Sequence, residues 1–224
     1  MTTSLPTKSN RGFTLTELLV VIAIVAVLAA LSTTVIMKSM AKSRTTESIN
    51  NLKQLHVAAV SFAEDNYGIY PATYWGEAGS GEGKVYWWSA LGPYVYNSYD
   101  GKLDSTFRDR ADPRAGKFAR DDFRSPKWVE ISYTPWGNGT TSSTSAVQGI
   151  SIDRTENSAG QPYLSTGQNT GTWAVTGEAG YDKYVKPSAD WRDGQIIVLY
   201  CNGVIKSVKE ATFEKVAPSL AEDD

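Results

Sequence analysis

The feature that most constrains this chain is a long uncharged run near its N-terminus. Residues 18–31 are apolar without a break, and residues 32–37 add hydroxyl side chains but no charge. At 1.5 Å per residue, the 20 residues 18–37 form a helix long enough to cross a hydrocarbon core about 30 Å thick. Lys8 and Arg11 precede the run and favour a cytoplasmic N-terminus, although basic residues also follow it. A membrane span is therefore available to this sequence.

The composition excludes several kinds of functional site. The 224 residues carry a formal net charge of −2, which gives no electrostatic reason to expect nucleic acid as a partner. Cys201 is the only cysteine and His56 the only histidine, so an intrachain disulfide and multi-cysteine or multi-histidine metal sites are excluded. His56 falls on the apolar side of a predicted helix, where packing is expected rather than proton transfer. We predict no catalytic residue and no enzymatic activity.

The residues just before the apolar run distinguish between three interpretations of it. Residues 11–17, R-G-F-T-L-T-E, resemble the cleavage and methylation motif of type IV pilins and type II secretion pseudopilins. In that family a dedicated aspartic peptidase cuts after the glycine, and the new N-terminal phenylalanine is N-methylated. The resemblance therefore implies cleavage after Gly12 and methylation of Phe13. The alternatives are a plain membrane anchor and a secretory signal that is cut before Ala30.

Glu17 is the second position to which the resemblance gives a role. A carboxylate at the edge of an apolar span is costly, so it is a functional candidate and is expected to have a partner. The resemblance implies that Glu17 pairs with the positively charged Phe13 amine of a neighbouring subunit, which neutralises both groups and sets axial register in a filament. The alternative is a carboxylate that lies among lipid headgroups at the membrane boundary.

The helical pattern continues past the apolar run and predicts one helix over residues 13–65. Polar side chains, Asn51 among them, occupy one side of its second half, where Val57 is the main exception. The chain has no proline between Pro6 and Pro71, which predicts a helix that is straighter than in the many family members with a proline, or that melts elsewhere on assembly. The apolar arc of the second half contains Ile49, Leu52, Leu55, His56, Ala59, Val60, Phe62 and Ala63.

Residues 67–224 are expected to form a β-rich domain. The sequence Asn66-Tyr67-Gly68 predicts the end of the helix. Asn202-Gly203 predicts a tight hairpin, because both residues tolerate the positive φ angles of such turns. Two stretches are predicted as surface insertions, a mixed-charge loop at 102–127 and a polar loop at 137–172 with room for a short strand near Ile150. The candidate strands are 85–88, 128–134, 172–176, 196–200 and 204–208.

Two ligand hypotheses concern this domain. Calcium is suggested by the resemblance, because major pseudopilins often bind it in a C-terminal loop, and Asp182, Asp190 and Asp193 lie in a similar region. Calcium takes six or more oxygen ligands, however, so turn capping is the favoured alternative and no cofactor is predicted. Carbohydrate binding is the second hypothesis, although large aromatic side chains more often fill a core. Its candidates are Trp75, Trp87, Trp88 and Trp191.

The sequence thus predicts an α+β, pilin-like fold, in which a long N-terminal helix packs on a small antiparallel sheet with long loops. Its parts are a leader at 1–12, a helix at 13–66 with a membrane span at about 13–37, and an extracytoplasmic domain at 67–224. The resemblance implies a structural subunit of a type II secretion pseudopilus or type IV pilus-like filament in the bacterial inner membrane.

The partners implied by the resemblance are identical or homologous subunits, a prepilin peptidase, and an inner-membrane assembly platform with its ATPase. The chain has no phosphate-binding loop of its own. The alternative function is a membrane-anchored module that binds a carbohydrate or surface ligand and does not polymerise.

Overall fold

The structure is a computed structural model that describes residues 13–71, 74–75, 85–95, 105–112, 133–136, 160–167, 175 and 178–218. The chain divides into two compact units, one ending at Ser43 and the other beginning at Arg44. Helix α1 (Leu15–Asp65) contributes to both, and each half of the helix is described with its own unit. The predicted helix at 13–65 is confirmed, with its start two residues later than expected.

In the first unit, α1 is exposed on every side, and no side chain from 13 to 43 is buried. By length and composition, α1 is the one helix among the described residues that could cross a membrane. Three hydroxyl groups bond back to helix carbonyls, which lets them lie in an apolar environment without an unpaired donor. Ser32 Oγ donates to Leu28 at 2.7 Å, Thr33 Oγ1 to Ala29 at 2.9 Å, and Thr34 Oγ1 to Leu31 at 3.1 Å.

The second unit combines the end of α1 with two antiparallel sheets and short helices. The smaller sheet pairs β1 (Tyr74–Trp75) with β2 (Val85–Tyr86), and helix α2 (Trp87–Val95) and a 3₁₀ turn (Ser105–Phe107) follow. The main sheet has the order β3-β4-β5-β6, and its strands are β3 (Tyr133–Pro135), β4 (Pro162–Thr166), β5 (Gln195–Tyr200) and β6 (Ile205–Lys209). Helices α3 (Glu178–Tyr184) and α4 (Pro187–Asp190) precede β5, and α5 (Phe213–Val216) follows β6. The predicted α+β fold class is confirmed.

Alternation along β5 produces one core on each face of the main sheet. Ile197 and Leu199 point to the face on which α1 and α2 pack, together with Leu52 and Leu55 of α1. The intervening residues of β5 point to the opposite face, where they pack with side chains of α3 and α5. The second half of α1 is therefore amphipathic, as predicted.

The buried face of α1 extends further into the polar side than the arc of apolar residues predicts. Asn51 is only 7% exposed, so its assignment to the solvent side is wrong. Its burial is compensated, because Asn51 Nδ2 donates to the Arg108 carbonyl at 3.0 Å. Val57 remains 64% exposed.

The predicted helix end at Asn66-Tyr67-Gly68 is confirmed. Tyr67 and Gly68 have positive φ angles of 56° and 71°, and the Gly68 N–H donates to the Ala63 carbonyl at 2.8 Å. A left-handed residue that returns its N–H to the last helical turn is the usual way to satisfy carbonyls at a helix end.

Three predicted elements need correction. The strand at 85–88 ends at residue 86, because Trp87 begins α2. The loop predicted at 137–172 contains β4, whose residues are all buried, so the strand lacks the alternation that identifies a half-exposed strand. The loop at 102–127 is not wholly at the surface, since Phe107 and Asp109 are buried. The position near Ile150 and most of 128–134 and 172–176 lie outside the described residues.

The closing hairpin between β5 and β6 is confirmed. The Tyr200 N–H donates to Val204 O, and the Gly203 N–H donates to Tyr200 O, both at 2.9 Å. Of the two predicted turn residues, only Gly203 has a positive φ (81°). Asn202 contributes through its side chain, because Asn202 Oδ1 accepts the Val204 N–H at 3.1 Å.

Candidate functional site

The first turn of α1 forms a reciprocal capping arrangement between Thr14 and Glu17. The Thr14 N–H and hydroxyl donate to Glu17 Oε2 at 2.9 and 2.8 Å, and Thr14 Oγ1 accepts the Glu17 N–H at 3.2 Å. This is a capping box, in which an N-cap threonine and a glutamate three residues later satisfy donors that a helix start leaves unpaired. The carboxylate also lies at the positive end of the helix dipole.

The structure describes only some of the predicted residues of the cleavage site. Gly12 lies outside the described residues, so cleavage after it stays a prediction. Phe13 is 77% exposed and immediately precedes Thr14. Thr14 was not predicted as a site residue, although the T-x-x-E pattern at 14–17 is typical of a helix start and could have identified it.

The capping box determines what the Glu17 carboxylate is able to do. Thr14 supplies two hydrogen bonds, so the carboxylate has a fixed position without a second chain. Both donors are neutral, however, and no described residue supplies a positive charge beside the carboxylate at the start of this exposed apolar helix. Because an unmatched charge is costly at the edge of hydrocarbon, the arrangement favours the arrival of a cation.

The three calcium candidates occupy turns near the end of the chain. Asp182 accepts a hydrogen bond from Lys186 Nζ at 2.9 Å, and Asp190 ends α4. Asp193 is exposed and has a positive φ of 51°. Within the described ranges, no group of three or more His, Cys, Asp or Glu side chains is placed to hold a metal ion. A calcium site stays a prediction.

A buried ion network lies beside these turns and was not predicted. Arg192, which stands between two of the calcium candidates in sequence, pairs with Asp109 through its Nε (3.1 Å) and Nη2 atoms. Arg192 Nη2 also donates to Ser48 Oγ at 2.8 Å, and Ser48 Oγ lies 2.8 Å from Asp109 Oδ1. All three residues are buried. The network joins α1, the segment after the 3₁₀ turn and the turn before β5, and an arginine supplies the positive charge that Asp109 requires.

The side chain of His56, on α1, packs against the closing hairpin. Its ring lies at 87° to the ring of Tyr70, with centroids 6.3 Å apart. Gly203 approaches so closely that a Cβ atom there would lie 2.6 Å from His56 Nε2. Burial lowers the pKa of His56, so the neutral ring is favoured.

Two of the carbohydrate candidates are core residues. Trp87 and Trp88 are 1% and 2% exposed, and their rings contact each other edge to face with centroids 5.9 Å apart. Both therefore fill the core, which is the alternative that the sequence favours, and neither is accessible to stack on a sugar ring. Trp191 is half-buried, and the side chain of Trp75 lies outside the described part.

Comparisons with known proteins concern the same N-terminal site. Residues 7–33 match the family described as the prokaryotic N-terminal methylation motif. A stretch of 53 residues is 47% identical to the type IV major pilin protein PilA of Myxococcus xanthus (strain DK1622), and it covers 24% of this chain and 24% of that relative. The chain thus spans about a quarter of the length of the curated relative it matches. No solved structure matches the chain.

The long N-terminal helix and the small antiparallel sheet form an α+β, pilin-like arrangement. Over its N-terminal segment, the chain is similar to the N-terminal methylation motif and to a type IV major pilin.

Proposed function

We propose that this chain is a structural subunit of a pilus or pseudopilus, and that it is not an enzyme. The observation that carries the proposal is the Glu17 carboxylate, which Thr14 holds at the start of a helix whose first half has no buried side chain. A helix that is apolar on every side needs lipid or other helices around it. Copies of the same chain provide such helices.

The precursor is anchored in the bacterial inner membrane by the first half of α1, with the C-terminal unit on the extracytoplasmic side. A prepilin peptidase cleaves after Gly12, and the new Phe13 amine is methylated. Cleavage creates a positive charge one residue before Thr14, in the part of the sequence that matches the methylation motif. That amine is the cation that a Glu17 carboxylate of a neighbouring copy requires.

Assembly then exchanges the partners of Glu17. In the waiting subunit, Thr14 satisfies the carboxylate with neutral donors. In the filament, the Phe13 amine of a neighbour neutralises the charge, so that both groups can lie among packed helices. An inner-membrane platform and its ATPase supply the energy.

Substitution of Glu17 tests this proposal. Glu17→Ala is expected to leave cleavage after Gly12 intact and to reduce sheared filaments at least tenfold, as measured by quantitative immunoblotting. Glu64→Ala is the matched control, because Glu64 is an exposed glutamate at the other end of α1. Wild-type amounts of filament from Glu17→Ala cells would leave a membrane-anchored module that does not polymerise as the remaining function.

The mass of the purified protein tests the processing route separately. The expected intact mass lacks residues 1–12 and includes one additional methyl group. A full-length, unmethylated mass would contradict the peptidase as a partner.

Two measurements on cells that lack the gene distinguish a type II secretion pseudopilus from a type IV pilus. Loss of exoprotein secretion would indicate the pseudopilus, and loss of surface filaments would indicate the pilus.

A further inference from the structure

The second unit carries a small open groove between α1 and α2. Its cavity volume is about 310 Å³, at the lower end of the roughly 300–1,000 Å³ that ligand pockets occupy. The groove therefore suits one or two side chains of a peptide better than a cofactor. It is lined by Lys53, Gln54 and Val57 of α1 and by Tyr94 and Val95 of α2.

The walls of the groove are held in place by contacts between the two helices. The Tyr94 hydroxyl donates to Asp65 Oδ2 at 3.0 Å, and the Tyr94 ring meets the Phe62 ring at 75° with centroids 5.6 Å apart. Val57, 64% exposed, provides an apolar contact at the groove. A preformed apolar groove loses little entropy when a side chain enters it.

The groove also has a charge at one end. Lys53 is exposed and forms no ion pair with any residue that the structure describes. It precedes Val57 by one helical turn, which is about 6 Å along the axis. An occupant would therefore place a carboxylate about 6 Å from an apolar side chain.

The segment at residues 219–224, S-L-A-E-D-D, has this pattern. In an extended chain, residues two apart lie on the same side, about 7 Å from each other. Leu220 and Glu222 therefore match the spacing of Val57 and Lys53. The acidic residues that follow Glu222 add to the attraction for Lys53.

The last described helix before the segment, α5, packs on the side of the sheet opposite α1. The segment follows α5, whose residues Phe213 and Val216 pack on the face of β5 that includes Ile196. Helix α1 packs on the other face, with Ile197. Six extended residues span at most about 20 Å, so reaching the groove of the same copy would require passing around the sheet and α1. A second copy is the better acceptor.

We propose that segment 219–224 of one copy docks in the α1–α2 groove of the next, with Leu220 on Val57 and Glu222 paired with Lys53. The contact joins two different surfaces, so it is heterologous and is able to repeat from copy to copy along a filament. This inference rests on the proposed function as a filament subunit and adds a contact outside the apolar helix.

Zero-length carbodiimide cross-linking of full-length protein tests the contact. Unlabelled and ¹⁵N-labelled copies are mixed in detergent, cross-linked and digested, and peptides that join Lys53 to Glu222 are quantified by mass spectrometry. Peptides with one labelled and one unlabelled partner are expected. Val57→Asp, which keeps both reacting groups, should reduce them at least tenfold, and Lys53→Glu with Glu222→Lys should form a link between the same positions. Lys209→Glu, an exposed lysine on β6, is the matched control and should leave the link unchanged.

Two results would overturn the contact. Linked peptides without mixed labelling would show that the segment occupies its own groove, and absence of the link in wild-type protein would show that the segment does not dock in the groove. Both results are independent of filament formation, because the cross-link is measured on detergent-solubilised copies. Failure of the proposed function would instead appear as wild-type filament yield in Glu17→Ala cells.

Discussion

The two halves of α1 contain similar apolar residues but meet different surroundings. Leu28 and Leu31 in the first half are 58% and 65% exposed, whereas Leu52 and Leu55 in the second half are fully buried. The second half finds its partners in the sheet of its own chain. The first half has none among the described residues, so its apolar surface is available to lipid and to other copies. Substitutions in the second half should therefore change the stability of the folded unit, and substitutions in the first half should change assembly.

The largest expected effect concerns the polar part of the second half, where Ser48 meets the buried ion pair. Asp109→Ala leaves the buried Arg192 guanidinium without its carboxylate, which costs about 3–5 kcal/mol of unfolding free energy. Urea unfolding of the full chain in detergent, followed by tryptophan fluorescence, measures the loss. The double variant Asp109→Leu with Arg192→Met removes both charges and should lose much less. An equal loss in the two variants would mean that packing, not the unpaired charge, is responsible.

The same apolar substitution in each half tests the comparison directly. Leu55→Ala removes a fully buried side chain from the core and should reduce the unfolding free energy by about 2–5 kcal/mol. Leu31→Ala removes an exposed one and should change it by no more than about 0.5 kcal/mol. Tryptophan fluorescence in urea reports on both variants. A destabilisation by Leu31→Ala as large as that by Leu55→Ala would show that the first half also belongs to the folding unit.

Alanine substitutions at two glycines distinguish the destabilisation caused by backbone strain from that caused by a clash with His56 of α1. Gly194 and Gly203 have similar φ angles of 74° and 81°, but a Cβ at Gly194 meets nothing within 4 Å, whereas one at Gly203 meets His56. Gly194→Ala should therefore cost about 1–2 kcal/mol, the strain of a left-handed residue. Gly203→Ala should cost more, and His56→Ala should recover the excess. Equal losses in thermal unfolding of the two glycine variants would contradict close packing of the hairpin on α1.

Sequence patterns predicted the parts of the fold that depend on neighbours along the chain. The length of α1, its end at Gly68 and the closing hairpin are local, and each has a clear periodic or turn signal. The burial of β4 depends on strands on both sides, which erase its alternation. Thr14, by contrast, belongs to a local motif and could have been found.

The buried network shows a stricter limit on prediction. Asp109 and Arg192 are 83 residues apart in the sequence, and Ser48 lies 61 residues before Asp109. Each is an ordinary polar residue in its own segment, and only the packed sheet and helix bring them together. No spacing rule connects residues this far apart. His56 was an intermediate case, since helical periodicity put it on the apolar side but could not identify the hairpin as its neighbour.

The pH dependence of stability is the smallest effect, and it tests whether the hairpin keeps His56 neutral. Burial lowers the pKa of His56 below its ordinary value of 6.5, so the unfolded chain takes up the proton first as the pH falls. Folding stability is therefore fully present above pH 6.5 and decreases as the pH falls through 6.5 towards the lower pKa of the folded chain. The neighbouring ring of Tyr70 does not titrate in this window, because burial raises the pKa of Tyr70 to about 12. Urea unfolding from pH 7.5 to 5 should thus show a smaller loss for His56→Gln than for wild type, and parallel profiles would mean that the imidazole is solvated rather than packed against Gly203.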